Sequence, residues 1–339
     1  LDQWKLSTIK AKRHAMPFLP SEISESDENA DHGESKSKLP IAIYSHGLTG
    51  SAEMYSYQTT SLASKGTLIM SIVHSDGSAV GVKRKNNGFL EYDQSIGKLA
   101  RKKETYPEYV RARRRQTDYR SNEFTAAAQA LLELNERNIE ELDKLGISFV
   151  GKLNVSDFMA AGHSFGGATA LTAVNRRPDL FTSCILHDPA IDWCPDDCRR
   201  SLLPKDRLED SDLEYNGGTA GYESEDNKKE SPSVHDLDMF FLYSNEWKDR
   251  NWGEYRLIHD LFKRGQLGRL NGPTDVAFIY NANHSEFSDS CMKLPLWLSR
   301  LVKVTGPRNP HETAEEIANR TVTFIEDVRR KRFSRTKLQ

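Results

Sequence analysis

The chain has 339 residues, of which 37% are hydrophobic and 28% charged, with a formal net charge of −2. That length suits one large α/β domain or two small ones, and the modest apolar share implies polar insertions around a soluble core. The near-neutral balance gives no whole-chain field for nucleic acid, and no apolar run approaches the roughly 18–20 residues that span a bilayer.

The chain opens on Leu1 rather than Met, so a fragment or processed form is expected, and "LDQWKLSTIKAKRH" lacks the apolar centre of a signal peptide. Residues 1–38 read as an N-terminal extension and flexible linker, since 21–38 are polar, acidic and without large apolar groups. "LPIAIYSHG" at 39–47 reads as a buried strand entering a turn. Residues 51–65 read as a helix stopped by Gly66, and "TLIMSIV" as the next strand. Residues 83–120 are dense in charge and read as a solvated helical insertion, with a basic face toward anionic lipid as the functional alternative. A helix from Ser121 to Leu145 follows, capped by Gly146.

Next come the strand "FMAAGHS", a helix over "ATALTAVNRR", and the strand "TSCILHD". Residues 199–236 are polar and acidic and read as a second, mobile insertion. "MFFLYS" and "VAFIYN" are two further buried strands flanking a helix near 253–264, and an amphipathic helix closes the chain. Strands alternating with helices predict a mostly parallel central sheet with helices on both faces. The unit is expected to run over 39–339, with both insertions as decorations. Cys184, Cys194, Cys198 and Cys291 form no disulfide framework. They favour a reducing compartment, so a cytoplasmic location, with or without membrane association, is expected; a signal peptide ahead of Leu1 would fit secretion. No metal or cofactor is expected.

The stretch "GHSFG", residues 162–166, fits the G-x-S-x-G nucleophile elbow between a strand and a helix. The serine of such a turn is strained, and a Cβ at either glycine would meet neighbouring backbone. Serine is a weak nucleophile until a base takes its proton. Of the histidines that follow Ser164, His259 lies within a helical pattern, His235 borders the polar insertion and His311 sits in a Pro-rich connection. His284 follows the last strand, where this kind of sheet delivers a base. His163 is expected to point away from the site and pack. For the acid, Glu246 or Asp249 after "MFFLYS" competes with Asp188, with Asp192 nearby, and pattern leaves the choice open. The oxyanion donors are expected at the backbone N–H groups of Phe165 and of Leu48, with His46 shaping the loop. Tripeptides at Asn154, Asn283 and Asn319 match the glycosylation pattern; the one at Asn283 adjoins the expected base and reads as accidental.

The separated stretches "LPIAIYSHGLTG", "VHSDGSA", "VRARRRQTDYRSNEFTAAAQALLEL", "GHSFGGATA", "ILHDPAIDW", "MFFLYSNEW" and "NANHSEFSD" together resemble the platelet-activating factor acetylhydrolase family, of the plasma and type II intracellular kind. The resemblance runs from about residue 39 to the last helix, apart from the insertions. It implies an α/β-hydrolase fold and maps the triad onto Ser164, Asp188 and His284, with Leu48 and Phe165 as oxyanion donors. It also implies calcium-independent hydrolysis of short or oxidised sn-2 acyl groups of glycerophospholipids, and contact with a membrane or lipid aggregate. The chain departs from the family in having His187-Asp188-Pro189 where Leu-Asp-Ala is common, and in the length of the 199–236 insertion. A broader carboxylesterase or phospholipase A1 keeps the chemistry with another substrate; a non-catalytic lipid-surface or scaffold protein keeps only the fold. Oligomeric state is left open.

Overall fold

The computed structural model describes residues 38–84, 88–202, 237–268 and 272–336. The expected linker at 1–38 and the expected insertion at 199–236 lie, apart from Lys38 and residues 199–202, outside the described residues.

Six strands form one parallel sheet: β1 (Leu39–Ser45), β2 (Leu68–Ile72), β5 (Leu153–His163), β6 (Phe181–His187), β7 (Asp238–Ser244) and β8 (Asp275–Ile279), in the order β2-β1-β5-β6-β7-β8. Between β2 and β5 a small hairpin joins β3 (Gly81–Lys83) to β4 (Phe89–Glu91). β1 and β7 are buried along their whole length, which is why they read as continuous apolar runs rather than alternating ones. The side chains still alternate between two cores. Ile41, Ile43, Phe158, Ala160, Leu186 and Phe241 face one cluster, and Ala42, Tyr44, Met159, Ala161, Ile185 and Phe240 the other.

Helices cover both faces. The helices Tyr106–Glu136, Phe165–Arg176 and Trp252–Lys263 close the first core with Phe124, Leu131, Leu171, Val174, Ile258 and Leu261. The helices Ser56–Ala63 and Pro310–Thr336 close the second with Leu62, Ile317, Phe324 and Val328. Truncating a side chain as buried as Phe124 costs about 3–5 kcal/mol in such cores.

The long helix departs from its sequence reading at both ends. It begins at Tyr106, with Pro107 in its first turn, and stops at Glu136, because Arg137 is extended at φ −144°, ψ 148°. Leu142 belongs instead to a short turn of helix, Glu140–Asp143, and Leu145 to the turn after it, which Gly146 closes at φ 69°. The charged stretch 83–120 is therefore only partly a solvated decoration. Its second half is the first half of the long helix, and Arg113 and Arg120 on it are fully buried, while Arg111 and Arg115 stay exposed.

Strand order reverses between β1 and β5, since the chain steps outward to β2 and then returns across β1. The crevice beyond the carboxyl ends of two such strands is where this architecture places ligands.

Candidate active site

β5 delivers Ser164 at φ 57°, ψ −118°, and the helix Phe165–Arg176 starts at the next residue. A non-glycine residue held there carries strain of about 1–3 kcal/mol. Two backbone contacts hold the turn in place. A Cβ on Gly162 would lie 2.2 Å from Gly166 O, and a Cβ on Gly166 would lie 2.0 Å from Ser45 O at the end of β1. Ser164 N–H donates to His187 O at 2.9 Å, tying the turn to β6 as well. Ser164 Oγ itself makes no hydrogen bond among the described residues.

The loop after β1 comes up beside this serine: a Cβ on Gly47 would sit 3.3 Å from Ser164 Cβ and 3.0 Å from Tyr55 Oη. Gly47 O accepts from His46 Nδ1 at 2.7 Å and from Gly50 N at 3.1 Å. His46 Nε2 accepts from His74 N at 3.2 Å, which puts the imidazole proton on Nδ1. Burial, then Arg120 and His74, hold His46 well below the usual histidine range, so it stays neutral. Because a peptide is planar and trans, fixing Gly47 O fixes the Leu48 N–H on the opposite side. Neither Leu48 N–H nor Phe165 N–H donates to a protein acceptor among the described residues.

His284 lies in the loop after β8, in a turn closed by a capping box between Asn283 and Glu286. Its Nδ1 lies 2.9 Å from Asp188 Oδ2, with Asp188 fully buried and the imidazole one-fifth exposed. Trp247 stacks on the imidazole at 4.0 Å between centroids and 14° between planes, and His163 packs at 4.5 Å. Asp188 follows β6 at φ 43°. Its carboxylate accepts from Ser244 N and Ser244 Oγ, both at 2.6 Å, at the end of β7. Burial raises the Asp188 pKa, opposed first by His284 and then by the Ser244 bonds.

The other candidates lie elsewhere. Glu246 is exposed, and its carboxylate accepts from the backbone N–H of His284 at 2.9 Å, not from the ring. Asp249 pairs with Lys248 at 2.8 Å, and Asp192 faces Arg199 at 3.6 Å. His187 is buried against Thr321 and Tyr44, and burial pushes its pKa down to about 3. His259 stacks on Tyr255, His311 is exposed, and His235 lies outside the described residues. All four cysteines are free, buried thiols. The Asn283 side chain donates to Lys303 O at 3.2 Å.

One expectation is corrected. His163 does not point away from the site. Its Nδ1 lies 2.9 Å from Tyr55 Oη, which also accepts Gly47 N–H at 2.9 Å. His163 thus bridges the loop carrying Leu48 and the ring of His284. Nothing in the sequence points to the contacts that Tyr55, Ser244 and Trp247 make here; only the spatial arrangement reveals them.

Ring nitrogens of His163 and His284 and an Asp188 oxygen lie within 4.8 Å of one another, a spacing open to a cation. Asp188 Oδ2 is already engaged with His284 and His163 Nδ1 with Tyr55, while His163 Nε2 has no protein partner among the described residues.

The family profile described as platelet-activating factor acetylhydrolase, isoform II, matches residues 9–194. A prolyl oligopeptidase family profile matches residues 151–245, the part that carries the elbow and Asp188. A platelet-activating factor acetylhydrolase of Canis lupus familiaris is 28% identical over 150 residues, covering 41% of this chain and 32% of that protein. A putative phospholipase A2 of Schizosaccharomyces pombe is 27% identical over 173 residues, covering 46% and 40%. The match thus spans only about a third of the length of such relatives. A ferulic acid esterase structure from Streptomyces cinnamoneus superposes with a TM-score of 0.50 at 13% identity, covering 87% of this chain and 69% of the other, which shows the shared fold. With more than half its length matched by one family profile, on a parallel sheet whose strained serine turn and Asp188–His284 pair stand at the strand ends, this chain belongs to the platelet-activating factor acetylhydrolase isoform II family and has an α/β-hydrolase fold.

Proposed function

We propose that the chain is a serine carboxylic ester hydrolase acting on the sn-2 short or oxidised acyl ester of platelet-activating factor-like phospholipids. The observation that carries this reading is the pairing of buried Asp188 with His284 beside the strained Ser164 turn. His284 Nε2 takes the Ser164 hydroxyl proton as Oγ attacks the ester carbonyl. Asp188 keeps the other proton on Nδ1 and stabilises the imidazolium. The Leu48 and Phe165 N–H groups receive the oxyanion, neither being spent on the protein. The leaving alcohol departs with the proton from His284, an acyl-enzyme remains, and water activated by His284 releases the acid.

The substrate class rests on the family and on the relatives named as platelet-activating factor acetylhydrolases. Contact with a lipid surface is supported by the segment after the base loop, where Trp297 and Leu301 are 70% and 71% exposed. It is tied to that loop by the bond from Asn283 to Lys303 O. Among the described residues no helix is long and apolar enough to cross a membrane.

The test is a hydrolysis panel with and without EDTA, comparing short, oxidised and long-chain phospholipids with simple esters, backed by fluorophosphonate labelling. Labelling that Ser164→Ala abolishes, with EDTA-insensitive turnover of short and oxidised sn-2 chains, is the expected result. Activity confined to simple esters would remove the phospholipid claim, and folded protein that takes no label would remove the hydrolase.

A further inference from the structure

We propose that Arg120 is a positioning residue of the oxyanion hole, holding the peptide that precedes the Leu48 donor and packing on the residue that supplies the other donor, Phe165. The inference rests on the roles proposed above for Leu48 and Phe165.

In sequence Arg120 is one more arginine of "VRARRRQTDYR". In the fold it is fully buried on the inner face of the helix Tyr106–Glu136. Its Nη2 donates to His46 O at 2.7 Å, and its guanidinium carbon lies 4.3 Å from the centroid of the Phe165 ring. Nη2 also approaches His46 Nδ1 at 3.2 Å, a contact without a hydrogen bond, because that nitrogen carries its own proton toward Gly47 O. Nε and Nη1 are buried with no protein partner among the described residues. Asp76 and Glu123 act on its charge from a distance, but its one hydrogen bond to a described residue goes to a neutral carbonyl, a weak return for burying a cation. Its two contacts instead converge on the two chain segments that would receive the oxyanion.

The mechanics follow from peptide geometry. The His46–Gly47 peptide is gripped at both ends: Arg120 binds its oxygen, and Tyr55 Oη takes its N–H at 2.9 Å. If that peptide turns, Gly47 O leaves His46 Nδ1, and the Leu48 N–H swings away from its line. The helix that carries Arg120 is itself pinned to the strand ends. Glu123, three residues on, accepts from His74 Nδ1 at 2.7 Å, and His74 Nε2 accepts from Ser45 Oγ at 2.8 Å. Arg120 therefore presses on the loop from a fixed base. Its charge, held away from water, also favours negative charge forming nearby.

The test compares Arg120→Met, which keeps volume and loses charge, with Arg120→Lys, which keeps charge and loses the fork. The readouts are kcat and KM on p-nitrophenyl acetate, and affinity for a trifluoromethyl ketone against the matching methyl ketone. The trifluoromethyl ketone alone forms an oxyanion on the serine. For Arg120→Met, kcat falls roughly 10–100-fold with KM within about twofold. Affinity for the trifluoromethyl ketone falls by the same factor, affinity for the methyl ketone holds, and Arg120→Lys recovers part of the loss. A kcat within about threefold of wild type, or lost kcat with unchanged trifluoromethyl ketone affinity, overturns the proposal. If Arg120→Met does not fold, Tyr55→Phe releases the other end of the same peptide, and unchanged trifluoromethyl ketone affinity there overturns it equally. Wild-type protein that binds no trifluoromethyl ketone and takes no fluorophosphonate would instead sink the esterase reading beneath it.

Discussion

His284 Nδ1 and Asp188 Oδ2 meet at 2.9 Å, although 96 residues separate them along the chain, whereas Glu246 reaches only the backbone N–H of the same histidine. The two carboxylates therefore predict different losses. Asp188→Asn should lower kcat on p-nitrophenyl acetate by about 10⁴, because the amide cannot hold the imidazole tautomer. Glu246→Gln should stay within about threefold, since it still offers an oxygen to the backbone. The opposite ranking would reassign the acid.

The relay has a second layer of support. Ser244 Oγ donates to Asp188 and accepts from Trp247 N at 3.0 Å, capping the helix Asn245–Arg250, and Trp247 lies flat on the base. Ser244→Ala should cost about 1 kcal/mol of stability as a lost cap and lower kcat about tenfold through a lost charge-assisted bond. Trp247→Ala should lower kcat by about 10²-fold, because a base free to tilt by an ångström is misplaced. Steady-state kinetics beside urea unfolding separates these two effects.

Gly166→Ala is expected to fail structurally rather than catalytically. The added methyl would meet Ser45 O at 2.0 Å, a backbone atom of a buried strand that has nowhere to retreat. Overpacking of this kind costs about 1–3 kcal/mol or more. Urea unfolding should show that loss, together with a drop in fluorophosphonate labelling. Wild-type stability in the variant would mean that the turn and β1 are farther apart than described.

His187 gives a pH prediction with a definite sign. Folded, its pKa is about 3, and burial is the cause. Unfolded, it titrates near 6.5. Below that value the unfolded chain binds a proton that the folded one refuses, so the stability contribution is present above about pH 6.5 and is lost as pH falls. The wild type should therefore lose about 1.4 kcal/mol per pH unit more than His187→Gln between pH 6.5 and 4. A flat difference in urea unfolding across that range would show that the folded protein accepts the proton.

The parts legible in the sequence are those where backbone demands name a residue. Gly162 and Gly166 flank Ser164 because no side chain fits there, and continuous apolar runs mark strands covered on both faces. Pattern alone leaves the acid open, because β6 and β7 both end near carboxylates; the family resemblance points to Asp188, and in the fold it is Asp188 that meets the His284 ring. The long helix departs from its sequence expectation for a physical reason. Its inner face runs Tyr109, Arg113, Gln116, Arg120, Phe124 and Leu131, at helical spacing but with polar residues in half the places. A hydrophobic periodicity therefore starts only at Phe124. Ser244 and Trp247 lie in a stretch that carries the family resemblance, but nothing in the sequence points to their contacts with Asp188 and His284, since a serine closing a strand and a tryptophan early in a helix are common.

The contact between Gly166 and the carbonyl of Ser45 is made by main chain on both sides. No side chain stands between the segment that bears the Ser164 hydroxyl and the strand that leads into the Gly47–Leu48 loop. Apart from the glycines themselves, their mutual register is thus insulated from side-chain substitution along β1 and β5, so sequence drift in the interior can proceed without moving the serine turn against β1.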